Sequence, residues 1–434
     1  MIKRRDFIKW AGASGIGLTA AGWSVLAAAD TKSTTTVAAS VPTNTGIKGR
    51  VVVIGGGMAG ATAAKYLRYW GGTGVDVTLI ERESTYGSKI MSNLVLNGSR
   101  TMASLQFGYG NLASRYGVKV VKGEVVTIDP VGRSVILAGG TRYAYDRLIV
   151  APGVAFDVVP GLETAAAQAR VPHAWDAGPQ VTNLRNMITA MPSGGVFVMH
   201  IPAKPIRCPP GPYERACVVA DWLKRNRTDT KVIVLDANPS IMAEQHSFLE
   251  GFALHGITYV PDVSIDRVDA ATLDVYTNQG KFSSNVLNVI PPHRAGKVIS
   301  ANGLADAGGK YTSVNVLSYE AKVAPGIHVI GDASATTQPK AGHIANQEAK
   351  VCADAILRLL SGRAPDPAPH TNSSCYSPIT FDTASWLTAN YAYDPTTQTM
   401  VLVTASAGEA AARSKDNFEE MNKWFKVLMG DSYA

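Results

Sequence analysis

An α/β fold of doubled strand–helix–strand units, with a small C-terminal domain appended, is what this sequence predicts. Three observations predict it. Val51 to Glu81 reads as strand, glycine turn, helix, strand. A second strand–helix–strand pattern recurs between residues 196 and 236, and a late apolar strand stops at Gly331-Asp332. Each of the first two is half of a doubly wound nucleotide fold, so the expectation is two Rossmann-like dinucleotide-binding domains.

The first unit carries the strongest signal. Val51-Val52-Val53-Ile54 is short, apolar and β-branched, as a strand buried on both faces should be. Gly55, Gly57 and Gly60 then fill G-x-G-x-x-G at the turn into a helix. The first allows the tight turn, the second lets a pyrophosphate approach the backbone, and the third lets helix and strand pack closely. Free N–H groups at the helix start favour phosphate. The second strand, Val75–Ile80, ends in Glu81, 21 positions after Gly60, where a carboxylate can accept from ribose hydroxyls. The motif does not say whether the dinucleotide is FAD or NAD.

Residues 82–100 read as a loop and Ser104–Tyr116 as a helix, followed by strands at 118–121 and 124–128. Gly139-Gly140 between Ser134–Leu137 and Arg142–Tyr145 is a hairpin signal. Leu148–Val150 runs into Ala151-Pro152-Gly153, an ending that marks the crossing to a second domain. In that domain Val196–Met199 and Val232–Leu235, ending in Asp236, are strands. Between them a nicotinamide site needs a second glycine fingerprint. The chain instead has Pro202, Pro205, Pro209, Pro210 and Pro212. Proline has no N–H, so this turn cannot present the donors that cradle a pyrophosphate.

Val286–Ile290 is read as the return to the first domain, and Gly331-Asp332 closes a strand where an aspartate meets a ribityl chain in FAD enzymes. FAD is therefore the expected cofactor. In the helix from His343 to Leu360, Ile344, Glu348, Val351, Cys352, Ala355 and Leu359 share one face, which places Cys352 in the core. Beyond the Pro-rich stretch 362–370 the tail shows no clear period.

Composition bounds the rest. The 434 residues suffice for two or three domains. The formal charge is +7, of which Lys3, Arg4, Arg5 and Lys9 against Asp6 supply +3. The remainder, about +4, is too small to argue for nucleic acid. The opening KRRDFIKWAG resembles a twin-arginine export signal, with Ala27-Ala28-Ala29 as a cleavage site before Asp30. The expectations are export of the folded chain, a periplasmic location and no stable membrane insertion of the mature chain. Four cysteines, Cys208, Cys217, Cys352 and Cys375, are too few for a stapled scaffold and allow three full pairings. Cys208 precedes a helix starting near Pro212, a place that favours a thiolate, whereas Cys217 among Val218, Val219 and Ala220 reads as packing. No metal site is expected.

At PHAW (His173, Trp175), RCPPGPYERA (Arg207 to Ala216), IPPHRAGK (Ile290 to Lys297), Gly331-Asp332-Ala333 and Cys375-Tyr376-Ser377 the chain resembles the flavoprotein subunit of flavocytochrome c sulfide dehydrogenase. That family is related to sulfide:quinone reductases and disulfide reductases. The resemblance covers about 49–377 well and implies a glutathione-reductase-like FAD fold. After the signal peptide read over 1–29 and the Ser/Thr-rich linker over 30–48, it implies an FAD domain split between 49–165 and 286–362. The second Rossmann-like domain, without an NAD site, would span 166–285, and a flavocytochrome c-type domain 363–434.

For the site it implies that Cys208 pairs with Cys375 beside the flavin, with Glu214 as the proposed proton acceptor. Gly55, Gly57, Gly60, Glu81, Val125, Ala151, Pro152, Gly153, Gly331 and Asp332 would hold FAD. Trp424 would lie near the route of the electrons. Haem-linked members often bear a flavin-linking cysteine where this chain has Lys89, so FAD is expected to be non-covalent. No C-x-x-C-H occurs, so haem belongs on a partner, a c-type cytochrome subunit. The expected activity is oxidation of sulfide to zero-valent sulfur. The alternatives are an accessory flavoprotein that reactivates a sulfur-carrier protein, and a quinone-reducing enzyme.

Overall fold

The structure, a computed structural model, describes residues 41–434. The expected export signal, with Arg4, Arg5 and the Ala27–Ala29 site, and most of the linker lie outside the described residues. Strand β1 (Gly49–Ile54), helix α1 (Met58–Gly71) and strand β2 (Val75–Glu81) form the first βαβ unit. β1 pairs in parallel with β2 on one side and with β4 (Arg147–Val150) on the other; β3 (Lys119–Lys122) extends β2. Val51 to Ile54 are buried, because strands at the centre of a parallel sheet are covered on both faces.

Beyond the first unit the second sheet takes β5 (Val196–Ile201), helix α2 (Gly211–Asn226), β6 (Lys231–Asp236), β7 (Thr258–Val260) and β8 (Val286–Val289). Its order is β7-β6-β5-β8, all parallel. β8 thus belongs to the second sheet, so the return to the first domain falls after residue 290 and not at 286. The reason is that Val286, Leu287 and Val289 are buried and the strand finds its hydrogen-bonding edge on β5.

The return consists of β9 (Thr312–Asn315), β10 (Glu320–Ala321), β11 (Ile327–Val329), β12 (Ser334–Ala335) and helix α3 (Gly342–Leu360). The first sheet then has eight strands, ordered β12-β9-β10-β11-β4-β1-β2-β3. Helices α1 and α3 pack side by side against it, at Gly71 and Leu357 among other places. The Gly139-Gly140 hairpin forms as expected, from Ser134–Leu137 and Arg142–Ala144. The helix expected over 104–116 is shorter: a 3-10 turn at Ala103–Leu105 and strand Gln106–Gly108 come first, and the helix is Gly110–Tyr116.

The tail is better ordered than its sequence suggests. Strands β13 (His370–Pro378), β14 (Ala384–Asp394) and β15 (Thr399–Leu402) form an antiparallel sheet, and helix α4 (Lys415–Tyr433) follows. No helix among the described residues is long and apolar enough to cross a membrane.

Candidate functional site

The glycine turn after β1 is built as its motif demands. Gly55 has φ +95, and a Cβ there would lie 2.3 Å from the Ala151 carbonyl; one on Gly60 would lie 1.8 Å from the Gly55 carbonyl. Gly57 opens instead to a cavity of about 980 Å³. Glu81 lines the same cavity, but one of its oxygens accepts from the Gly56 N–H at 2.6 Å. It thus orders the turn itself besides offering its remaining lone pairs. Val125, Ala151, Pro152, Gly153, Gly331 and Asp332 all line this cavity.

Across the cavity Asp332 stands half-buried, with Oδ1 fully enclosed and without a hydrogen-bond partner. Burial pushes its carboxyl up, against the pull of Arg207, Lys340 and Lys89. An orphaned acceptor in a cavity wall needs a ligand hydroxyl or water. Together with the glycine cradle and the size of the cavity, it fits FAD. Glu348, on α3, is a residue that sequence reasoning passed over. Its Oε2 accepts from the Gly331 N–H at 2.6 Å, fixing the turn that presents Asp332, and burial pushes it up to about 8. The available signal was a single acid on an otherwise apolar helix face.

The proline-rich loop after β5 turns its chemistry toward this same cavity. Cys208, Pro210, Gly211 and Glu214 line it, and Cys375, from the middle of β13, lines it too. Cys208 sits in left-handed backbone, φ +60, with its N–H donating to the Lys340 carbonyl at 2.7 Å. Helix α2 starts at Gly211, so close to the thiol that a Cβ there would lie 2.9 Å from Sγ. All four cysteines are free thiols in the structure, so the pairing that the resemblance implies is not formed in it. Cys217 and Cys352 are fully buried.

The expectation that the helix start favours a Cys208 thiolate is not met. Burial, seconded by Glu214, pushes this thiol up to about 12, and only Arg207 and the Gly211 N–H oppose them. Cys375 is also raised, by burial and then by the charge of Cys208. Desolvation outweighs the favourable field of one helix terminus, worth about 0.3–1 kcal/mol near the surface.

Glu214 is buried in the first turn of α2, and burial pushes it up to about 8. Asn93 donates to its Oε1 at 2.9 Å and to the Gly211 carbonyl at 3.0 Å. The same Asn93 accepts from Arg215 Nε at 2.9 Å. Arg215 is 1% exposed and also donates to the His173 and Ala174 carbonyls and to Asn288, with Trp175 under its guanidinium at 4.6 Å. Arg207 donates to the Trp175 carbonyl. Three distant segments, 91–93, 173–176 and 207–215, are thereby locked around one carboxyl. Neither Asn93 nor Arg215 stood out in the sequence; polar residues with no local period show their role only once folded.

Lys89 lines the cavity with Nζ 4.9 Å from the centre of the Tyr86 ring. Trp424, on α4, lines it as well; its ring leans on Tyr376 at 5.5 Å and His343 at 6.1 Å. At the second nucleotide position the acid that ends the strand is engaged by its own neighbours. Asp236, at the end of β6, is fully buried and accepts from Tyr213 at 2.7 Å, Tyr259 at 2.9 Å and Asn238 at 2.7 Å.

Residues 49–182 match the model of pyridine nucleotide-disulphide oxidoreductases, and 181–291 match that of the sulfide dehydrogenase (flavocytochrome c) flavoprotein chain, central region. The first stretch is thus similar to the pyridine nucleotide-disulphide oxidoreductases, and the second to the central region of a flavocytochrome c sulfide dehydrogenase flavoprotein chain.

Among solved structures it resembles the sulfide:quinone oxidoreductase of Aquifex aeolicus, with TM-score 0.73 and 18% identity over 88% of this chain and 91% of that one. It also resembles a NAD-dependent persulfide reductase from A. fulgidus, with TM-score 0.58 and 16% identity over 87% and 77% of the two chains. A probable ferredoxin reductase of Castellaniella defragrans is 35% identical over 107 residues, 24% of this chain and 26% of that protein. The chain thus matches only about a quarter of that relative's length.

Proposed function

We propose that this flavin oxidoreductase oxidises sulfide and passes the electrons to a c-type cytochrome subunit. One observation carries the reading: Cys208, Cys375 and the proton-binding Glu214 converge on the wall of the cavity whose cradle fits FAD. With the two thiols oxidised to a disulfide, hydrosulfide attacks one sulfur. A new S–S bond forms as the old one breaks, leaving a persulfide on one cysteine and a thiolate on the other. The proton of the incoming sulfur passes to Glu214, which accepts it in the ionised form that predominates above about pH 8. A second hydrosulfide takes the outer sulfur away as hydrogen disulfide and leaves the two cysteines reduced. FAD, when bound, supplies the acceptor for the two electrons released as these close again to the disulfide.

The neighbouring groups serve this chemistry. Asn93 orients Glu214, and the Arg215 guanidinium offsets its charge once it ionises. Trp424, packed between the cavity and the tail, is the aromatic side chain from which electrons would leave toward a haem. FAD is held without a covalent bond, since Lys89 stands where the linking cysteine would be. The chain works in the periplasm, reached folded by the twin-arginine route.

The test is anaerobic titration of the purified flavoprotein with sulfide and then with cytochrome c, following flavin absorbance. Sulfide should bleach the flavin and cytochrome c should restore it. Cys208→Ser and Cys375→Ser should keep FAD and lose the bleaching. A Cys208→Ser variant that bleaches at the normal rate would overturn the disulfide route.

A further inference from the structure

Behind the loop that carries Cys208 lies a second cavity, of about 740 Å³. It occupies the crevice at the carboxyl ends of β5 and β6, the place where an open parallel sheet ordinarily takes a ligand. The loop is a partition: Lys204, Ile206 and Pro209 face this cavity, while Cys208, Pro210 and Gly211 face the flavin side. Residues 339–342 divide in the same way, Lys340 on the far side and Gly342 on the flavin side. The hydrogen bond from Cys208 to the Lys340 carbonyl joins the two partitions.

Charge sets this cavity apart. Lys204, Lys322 and Lys340 line it, and no aspartate or glutamate does. The acids around it stand behind the lining: Asp306 accepts from the Ser313 N–H at 2.7 Å, Asp394 from the Thr397 hydroxyl at 2.9 Å and Glu348 from the Thr336 hydroxyl at 3.4 Å, while Asp236 is turned under Tyr213 and Tyr259. Among the described residues the ammonium groups of Lys204 and Lys322 have neither an ion pair nor a hydrogen bond. A cleft lined by one sign of charge over low-dielectric walls concentrates ions of the other sign. Much of the wall is apolar, from Ile206, Ile241 and Val314. A dianion with a polarisable body suits such a lining.

Two sources could supply that dianion, a sulfur anion or a nucleotide phosphate, and the walls favour the first. Four prolines among the lining residues withhold the backbone donors that a phosphate uses. Tyr311, the one aromatic ring, is already covered by Lys340 Nζ at 4.1 Å and is not free to stack on a base.

We propose that this cavity is a second binding site, for a small sulfur dianion of the thiosulfate or short polysulfide class. The choice of sulfur rests on the sulfide reading above; the preference for a dianion rests on the lysines alone.

The test is calorimetric titration of the FAD-loaded protein at low ionic strength with thiosulfate and, separately, with AMP. Thiosulfate should bind saturably, one per chain, and more tightly than AMP. The exposed double variant Lys204→Glu/Lys322→Glu should weaken thiosulfate by roughly tenfold or more, and Lys204→Ala/Lys322→Ala should do so to a lesser degree. Both should keep the flavin spectrum and melting temperature. Cys208→Ser should bind thiosulfate like the parent although it no longer reacts with sulfide, which separates failure of the anion site from failure of the sulfide reaction. Absence of saturable binding, or equal affinity in both lysine variants, overturns the site. Tighter AMP binding overturns the sulfur assignment, and loss of binding in Cys208→Ser places the anion at the cysteine instead.

Discussion

Glu214 governs how the site answers to pH. Its carboxyl stands at about 8 in the folded chain against 4.5 for the free group, so between those values the native state keeps a proton the unfolded chain has lost. Its contribution to stability is complete below 4.5, declines as pH rises and is gone above about 8. Glu214→Gln should therefore lose less melting temperature than the parent across that window, read by thermal scans at several pH values. In the reaction the sign is opposite, because an acceptor must be ionised. The bleaching rate should climb toward a plateau above about pH 8, and Glu214→Gln should be slower by about 10²–10⁴-fold without that climb. The ionisation of sulfide is common to both proteins, so the ratio of their rates isolates the carboxyl. A ratio independent of pH would remove Glu214 from the proton path. At this scale the sequence singled out Cys208, Cys375 and Glu214, which the structure brings to one cavity wall, and misjudged the ionisation of Cys208. Helix position is local and readable at Cys208, whereas the desolvation that dominates there comes from β13 and from 173–176, far along the chain.

Helix α4 closes over the glycine cradle. The Tyr433 hydroxyl donates to the Gly56 carbonyl at 3.1 Å, and its ring stacks on Tyr86 at 5.2 Å and on Phe107 at 5.6 Å. Tyr66 and Asn346 donate to Asp431, two residues back, at 2.5 and 2.8 Å. Aromatic pairs give about 0.5–1.5 kcal/mol each and a hydrogen bond about 1. Tyr433→Ala should therefore weaken FAD retention by at least roughly tenfold, followed as flavin fluorescence released on dilution, and Tyr433→Phe by less. Retention equal to the parent would show that α4 packs without gripping the cradle. None of this was legible. The first βαβ unit announced itself because its strands are apolar runs bounded by glycine. β13, His-Thr-Asn-Ser-Ser-Cys-Tyr-Ser-Pro, is polar along its length, and its strand character comes from pairing residue for residue with β14. Likewise β8 looked like the start of the returning domain because an apolar strand carries no label for its sheet.

Taken whole, the molecule is a two-nucleotide architecture, and the proline-rich turn predicts that only the first site takes a nucleotide. NADH should reduce the flavin no faster than a mimic without specific binding, measured by stopped-flow absorbance. Rapid reduction would return the chain to the pyridine-nucleotide enzymes. Acid precipitation should release all of the yellow colour as free FAD, and flavin left on the denatured protein would reveal a bond at a residue other than Lys89. Mature protein from the periplasm should begin near Asp30 by intact mass.

The partition loop of residues 204–211 makes the loss of the second nucleotide a matter of exclusive choice. A single span connects β5 to α2, and it can either arch its amides over a pyrophosphate or thrust a sulfur through toward the flavin. Grafting a glycine fingerprint onto it would displace Cys208 and shift the helix start that seats Glu214. A variant so grafted should therefore lose the placement of Cys208 and Glu214 on which the proposed sulfide reaction depends.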